Sequence, residues 1–284
     1  MKSVATVVLG VLVGIGSVRL LMLVVSEALR SPVLQRSNYR GKVVPTAGGL
    51  LVVLAVLLIE GARLGLGAIG LGKRPGLDGT RPLVLLACIG FGFLGLLDDV
   101  LAVGGDEGFG GHVRALARGR VTTGFVKLAG GGALALVLAS APGPEGRLRL
   151  LADAALIALA ANLGNLLDRR PGRALKCGIV AWIPLVMLAG GDALSVALAP
   201  VMGAFAAILP DDLGERLMIG DVGANVLGAV LGFGVVLEAG FTARLVVLAA
   251  LLALNLVSEW VSFSSVIDRV QFLRRVDELG RIDP

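Results

Sequence analysis

The chain has 284 residues, of which 56% are hydrophobic and 17% are charged, and its formal net charge is +5. Its mean hydropathy of +0.90 lies far above the values of soluble domains, which argues against a water-soluble protein. The excess of basic residues is explained by basic loops at a membrane surface, so we expect no nucleic acid partner.

Apolar segments of roughly 20 residues recur along the chain, and they are continuous rather than alternating. In hydrocarbon only helices and closed barrels satisfy their own backbone polar groups, and continuous segments favour helices. We therefore predict an all-α, polytopic membrane helix bundle that forms a single domain over residues 1–284. The first span is expected to be retained rather than cleaved as a signal peptide. The predicted spans, about nine in number, are residues 4–25, 47–63, 82–97, 124–141, 149–165, 177–190, 193–209, 222–238 and 243–262.

Lysine and arginine are distributed unequally between the two sides that these spans define. When the loops are assigned alternately to the two sides, one side receives about twice as many basic residues as the other. The richer side includes the loops at residues 30–42, 98–123, 166–176 and 263–284. Since basic residues accumulate in cytoplasmic loops, this side is predicted to face the cytoplasm. We expect a multi-pass protein of the inner (plasma) membrane.

The same alternation places most carboxylates on the predicted cytoplasmic side. Asp98 and Asp99 end one apolar span, Asp168 ends another, and Asp221 begins a third. Carboxylates at a membrane boundary are costly unless they are solvated, paired or bound to a cation. A single acid at such a position is adequately explained as a solvated helix cap, but four on one side favour a functional site.

Hard divalent cations prefer oxygen ligands, and Mg²⁺ commonly takes one or two carboxylates together with water and substrate phosphate. The four aspartates provide such oxygens, with Mg²⁺ as the expected metal and Mn²⁺ as an alternative. Asn162, Asn165 and Asp168 follow one another at three-residue intervals, which places them on one face of a helix. An apolar span has no packing reason to carry that polar stripe.

Two lysines lie near the membrane edge on the same side. Lys42 and Lys127 could neutralise phosphate charge, although Lys127 could equally extend to the headgroup region without a ligand. The clusters Gly48-Gly49 and Gly130-Gly131-Gly132 are interpreted as helix-packing sites rather than phosphate-binding loops.

Five segments of the chain combine these polar residues with glycines in a fixed order. The segments are NYRGKVVPTAGGL at 38–50, GLLDDV at 95–100, GHVRALARGRVTTGFVKLAGG at 111–131, NLGNLLD at 162–168 and IGDVGANVLG at 219–228. Together they resemble the polyprenyl-phosphate N-acetylhexosamine-1-phosphate transferases (glycosyltransferase family 4), which include the enzyme that makes lipid I of peptidoglycan. The order of the segments and their placement on one side carry the resemblance, which covers most of the chain as that of a divergent member.

The resemblance implies that a sugar 1-phosphate is transferred from a UDP-sugar to a polyprenyl phosphate, with release of UMP and with Mg²⁺ at the cytoplasmic face. By resemblance, Asp221 is a metal ligand, and Asp98 and Asp99 orient the metal and the lipid phosphate, one of them as a base. The remaining implied roles are phosphate neutralisation and substrate binding, carried by Lys42, Lys127, Thr46, Asn162, Asn165 and Asp168. Homodimerisation is left open.

The sequence also departs from the pattern of the family it resembles. Pro171 stands where a second acid is usual after Asp168, and the last inner loop lacks the usual histidine motif, His112 being the one histidine of the chain. These departures keep a second hypothesis open, namely a non-catalytic paralogue that binds prenyl phosphate or an envelope-synthesis partner. A transporter is disfavoured because the acids lie at a membrane edge rather than at the midplane.

Overall fold

The computed structural model describes residues 2–25, 27–72, 79–101, 123–143 and 146–282, and most of these residues are helical. The helices are α1 (Lys2–Val24), α2 (Gly48–Ala68), α3 (Thr80–Leu101), α4 (Thr123–Ala139), α5 (Arg147–Leu167), α6 (Arg173–Ala189), α7 (Ala193–Leu213), α8 (Gly220–Glu238), α9 (Phe241–Ser258), α10 (Phe263–Arg269) and α11 (Gln271–Glu278). Parts of two predicted loops, residues 73–78 and 102–122, lie outside the described residues, and His112 is in the second of them.

The segment between α1 and α2 adds a small element that hydropathy does not predict. Two single-turn 3-10 helices, Ala28–Arg30 and Pro32–Leu34, lead into strand β1 (Gln35–Ser37), which pairs antiparallel with β2 (Val43–Pro45). This hairpin does not alter the all-α class, since both strands have three residues.

Each of the nine predicted spans corresponds to one of the helices α1–α9. Within the described ranges, α1, α2, α3, α5, α7, α8 and α9 each contain at least 18 residues of sufficient hydropathy to cross a membrane, and the apolar helix Gly124–Ala139 is shorter. The predicted polytopic, all-α membrane fold is confirmed.

Helices α7 and α8 lie at the centre of the bundle, where 72% of each membrane-spanning window is buried inside the protein. Glycines allow neighbouring backbones to approach them closely. A Cβ atom at Gly14 of α1 would lie 2.1 Å from the carbonyl oxygen of Pro200 in α7, and one at Gly228 of α8 would lie 2.1 Å from that of Ala160 in α5. Glycines at such positions therefore serve close helix packing, which is the main attraction between helices in a lipid environment.

The start of α6 differs from the prediction, because the helix begins at Arg173 rather than near residue 177. Arg173 is 2% exposed, and its guanidinium bonds both carboxylate oxygens of Asp277 in α11, at 2.8 and 2.7 Å. Asp277 also pairs with Arg281 at 2.8 Å. This contact anchors the segment 263–282 to the bundle, and it pairs residues that are distant in sequence.

Candidate active site

Two aspartates from separate helices share one lysine. Asp98 lies near the end of α3, Asp221 lies in the first turn of α8, and Lys127 lies in α4. The Nζ atom of Lys127 is 2.8 Å from Oδ2 of Asp98 and 2.7 Å from Oδ2 of Asp221. The three side chains are 19–30% exposed, so they remain accessible to a ligand.

Asn165 of α5 adds a fourth helix to this group. In the amide orientation that satisfies both neighbours, its nitrogen donates to Oδ1 of Asp221 at 2.7 Å and its oxygen accepts from Nζ of Lys127 at 2.8 Å. We name Asp98, Lys127, Asn165 and Asp221 the acid–lysine cluster. All four were predicted as site residues, and the fold brings them together from α3, α4, α5 and α8.

Asp99 lies beside the cluster but has different partners. Its Oδ2 atom accepts a hydrogen bond from the backbone N–H of Val222 at 3.3 Å, and the hydroxyl of Thr46 is 3.5 Å from its Oδ1 atom. The guanidinium of Arg36 donates to the Asp99 backbone carbonyl. Asp99 and Thr46 are therefore held at the first turn of α8, which also carries Asp221.

Backbone hydrogen bonds join the segment before α2 to the segment before α8. The N–H of Met218 donates to the carbonyl of Pro45 at 2.8 Å, and the N–H groups of Gly48 and Gly49 donate to the carbonyls of Met218 and Ile219, both at 2.9 Å. These bonds connect two of the five motifs, although more than half of the chain separates them.

Gly220 is required at the junction of these two segments. Its φ of +65° is in the left-handed region that favours glycine, and a Cβ atom there would lie 2.1 Å from the hydroxyl oxygen of Thr46 and 2.9 Å from Oδ2 of Asp99. A side chain at position 220 would therefore collide with Thr46 and Asp99, which explains why a glycine precedes Asp221.

Asp168, at the end of α5, lies in the same acidic environment. Its burial raises the pKa of the carboxyl well above the ordinary value, and the negative charges of Asp212, Asp221 and Asp99 raise it further.

The sequence reasoning assigned Asp168 to the site but not Asp212. Asp212 is 3% exposed, and its Oδ2 atom accepts from the N–H of Gly172 at 2.5 Å. Its position at the end of an apolar span was the available signal.

Two predicted binding residues have their direct contacts elsewhere. Lys42 lies near β2, and its Nζ atom donates to the backbone carbonyl of Glu215 at 2.9 Å. Asn162 donates to Oδ1 of Asn255 in α9 at 2.6 Å, and Asn255 was not identified from the sequence. Asn162 and Lys127 also line a cavity of about 60 Å³, together with Phe91 and Leu94. Asn162 thus borders the site from the membrane side, whereas Lys42 is bound to the segment that follows α7.

The donor set is chemically suitable for a hard divalent cation. The site contains five carboxyl groups, those of Asp98, Asp99, Asp168, Asp212 and Asp221. The ammonium group of Lys127 lies between the carboxylates of Asp98 and Asp221. Within the described ranges, no group of three or more acidic, histidine or cysteine side chains is arranged so that it could hold a metal ion. Mg²⁺ does not require three protein ligands, because one or two carboxylates with water and phosphate oxygens complete its shell. Asp221 and Asp98 carry carboxylates of the required kind, and in this structure Lys127 contacts Oδ2 of both.

Substitution of Gly95 is expected to distort this site. A Cβ atom at Gly95 of α3 would lie 2.4 Å from the carbonyl oxygen of Asp221, so α3 and α8 would have to separate. We expect Gly95→Ala to destabilise the purified protein by about 1–3 kcal/mol, measured as a lower thermal unfolding temperature in detergent. Gly61→Ala in α2 is the matched control, because a Cβ atom there meets no atom within 4 Å. Equal effects of the two substitutions would contradict this close packing.

The fold and site together define a polytopic helical membrane protein whose acids and one lysine converge at one end of the bundle. No family model matches the chain. The chain is similar to the phospho-N-acetylmuramoyl-pentapeptide-transferase of Deinococcus radiodurans, with 28% identity over 206 residues. The aligned region covers 66% of this chain and 59% of that protein, so the chain spans less than two thirds of the length of its relative. This similarity supports a divergent member of the transferase family that the motifs resemble.

Proposed function

We propose that the protein transfers a sugar 1-phosphate from a UDP-sugar to a polyprenyl phosphate, in a Mg²⁺-dependent reaction of cell-envelope precursor synthesis. The acid–lysine cluster carries this proposal, because it joins residues of four helices into one polar group at the end of an apolar bundle. The named transferase activity of the Deinococcus radiodurans relative supports the same class of reaction.

Charge explains why the site would need a cation besides Lys127. The substrates of such a transfer are phosphates, which carboxylates repel. Bound Mg²⁺ would neutralise phosphate charge and stabilise the transferred phosphoryl group. In the proposal, Asp221 and Asp98 hold the metal, and Asn165 and Asp168 contact the nucleotide or the metal. Lys127 supplies a positive charge to phosphate oxygens from a position that two aspartates already fix.

The proposed reaction is a displacement at phosphorus. An oxygen of the lipid phosphate forms a bond to the phosphorus that carries the sugar, and the bond from that phosphorus to UMP breaks. Asp99 would orient the lipid phosphate and accept its proton when it carries one. The N–H of Val222 and the hydroxyl of Thr46 hold its carboxylate in place. The protein thus contributes mainly position and charge, which is what phosphoryl transfer requires.

The surroundings of Lys127 are compatible with a lipid acceptor. Phe91, Leu94 and Leu128 line the small cavity beside it, so an apolar chain could leave the polar site directly between helices. The distribution of basic residues supports a cytoplasmic orientation of this end, where a UDP-sugar would be available.

A UMP-release assay tests the proposal and separates it from the non-catalytic alternative. Purified protein is incubated with a polyprenyl phosphate, Mg²⁺ and each of several UDP-sugars, and UMP is measured. We expect release that requires both the lipid and the metal. Binding of prenyl phosphate without UMP release for any UDP-sugar would favour the paralogue, which Pro171 and the missing histidine motif keep as the second hypothesis.

Metal affinity provides a separate prediction. Asp221→Asn removes one negative charge next to Lys127 at nearly constant volume, so we expect Mg²⁺ affinity by calorimetry to fall at least about tenfold. Asp268→Asn is the control, because Asp268 is an exposed residue of α10. Similar losses of affinity in both variants would show that the metal binds elsewhere, and a preference for soft metals would contradict an oxygen site.

A further inference from the structure

A second cavity, of about 300 Å³, lies where α4 ends and where α5 and α9 begin. It is at the opposite end of the bundle from the acid–lysine cluster, since Arg149 and Asn165 lie on the same helix and a rise of about 1.5 Å per residue separates them by roughly 24 Å. The residues that characterise its lining are Ser140, Arg147, Arg149, Leu150, Asp153 and Arg244.

The described lining of this cavity carries three arginines and one aspartate, so positive charge is in excess. Arg244 is fixed by Asp153, whose Oδ2 atom is 2.9 Å away, and by the carbonyl of Ala239 at 2.8 Å. The guanidinium of Arg149 stacks on the ring of Phe241, 4.4 Å from its centroid. Two of the three guanidinium groups therefore have defined orientations before any ligand binds, which lowers the entropy cost of binding.

The cavity lies at the edge of an apolar surface. Val137 of α4, Leu151 of α5 and Val246 of α9 are 52–65% exposed on the three helices that form it. In a bilayer such side chains contact acyl chains, and the charged cavity at the helix ends would then lie at the level of the lipid headgroups.

We propose that this cavity binds the phosphate of an anionic phospholipid in the membrane leaflet opposite the acid–lysine cluster. The planar guanidinium group matches phosphate oxygens in a bidentate manner, and a basic pocket between helices is suited to anionic headgroups. The apolar part of the lining, Leu150 and Ala139, would contact the glycerol and the first acyl carbons. An inorganic phosphate would satisfy only the arginines.

A thiol at Ser140 gives a local measure of occupancy. Ser140 is an exposed residue of the lining, and Cys177 is an exposed native thiol, so the full chain is prepared with Ser140→Cys and Cys177→Ser. Cys88 is buried. Alkylation of the introduced thiol by a maleimide is followed in detergent while dioctanoyl phosphatidylglycerol is titrated. We expect saturable protection, and Arg149→Gln should raise the half-protecting concentration at least about tenfold.

Matched variants and ligands decide the outcome. Arg63→Gln, at the same end of the bundle on α2, should leave the protection unchanged, and Arg147→Gln should weaken it without disturbing a buried residue. Phosphatidylcholine with the same chains should protect less, since its headgroup has no net charge. Protection that neither Arg149→Gln nor Arg147→Gln weakens would overturn the site. Equal protection by inorganic phosphate alone would overturn its assignment to a lipid.

Discussion

Asp99→Asn is expected to lower turnover of UDP-sugar at least about 100-fold while the protein stays folded. The substitution removes a charge at nearly constant volume, and the N–H of Val222 can still donate to the amide oxygen that replaces Oδ2. If the carboxylate acts on the lipid phosphate in the transition state, loss of one electrostatic contact of this kind costs about 3 kcal/mol of activation free energy. UMP release by the purified variant measures the effect.

Two comparisons separate this electrostatic effect from a packing defect. The thermal unfolding temperature of Asp99→Asn should stay close to that of the wild-type protein, and Asp268→Asn in α10 should retain its turnover. A folded Asp99→Asn variant with wild-type turnover would remove Asp99 from the proposed mechanism. It would leave the metal prediction for Asp221 to be decided by calorimetry.

Arg173→Met is expected to weaken the attachment of the segment 263–282 to the bundle. Asp277 is 7% exposed, and Arg173 bonds both of its carboxylate oxygens and also the hydroxyl of Ser264 at 2.8 Å. Removal of one partner of a buried ion pair costs about 3–5 kcal/mol, and we expect the lower value because Arg281 still contacts Asp277. Amide hydrogen exchange of α10 and α11 should then be faster by a factor on the order of 100.

The matched control and the pH dependence test the same contact. Arg269→Gln, at the end of α10, should leave the exchange rates unchanged.

Although burial alone would raise the pKa of Asp277, its bonds to Arg173 and Arg281 hold the pKa below the ordinary value. Because the pKa of Asp277 is lower in the folded protein than in the unfolded chain, where it is about 3.9, the ionised carboxylate stabilises the contact at pH values above that value. This stability is lost as the pH falls through the folded-state pKa. The protection of wild-type amides in this segment, measured relative to the exchange rates of the unfolded chain at the same pH, should therefore decrease below about pH 4, whereas Asp277→Asn should lack that dependence.

The sequence by itself determined the class of fold. Continuous apolar segments leave a helix as the form that satisfies the backbone in hydrocarbon, so each of the nine predicted spans could be placed on a helix. Within the part of the chain that the structure describes, seven of these helices are long and apolar enough to cross a membrane. The acids at the ends of the spans could also be identified from the sequence, because the apolar segments end or begin abruptly at these residues. Asp98 and Asp221 were predicted as site residues in this way. Asn165 was predicted from its three-residue spacing with Asn162 and Asp168, and Lys127 from its place at the membrane edge, while the family resemblance supplied the expected roles.

Contacts between distant segments could not be read from local sequence. Asp212 joins the acidic environment of Asp168 only because α7 ends beside α5, and Asn255 pairs with Asn162 only because α9 packs against α5. Lys42 lies in a basic loop with suitable chemistry, yet in the tertiary structure its ammonium group donates to the backbone carbonyl of Glu215.

The tertiary structure alone also decided how closely the helices approach. Hydropathy reports how well a segment is solvated by lipid and does not specify which of its faces meets a neighbour. The glycines that bring α3 against α8 and α1 against α7 act through atoms of another helix, as at Gly95 and Gly14. The sequence therefore determined which segments enter the membrane and which polar groups lie at their ends. The pairing of those groups was decided by close backbone packing, because a lysine can meet two carboxylates only where the helices that carry them come together.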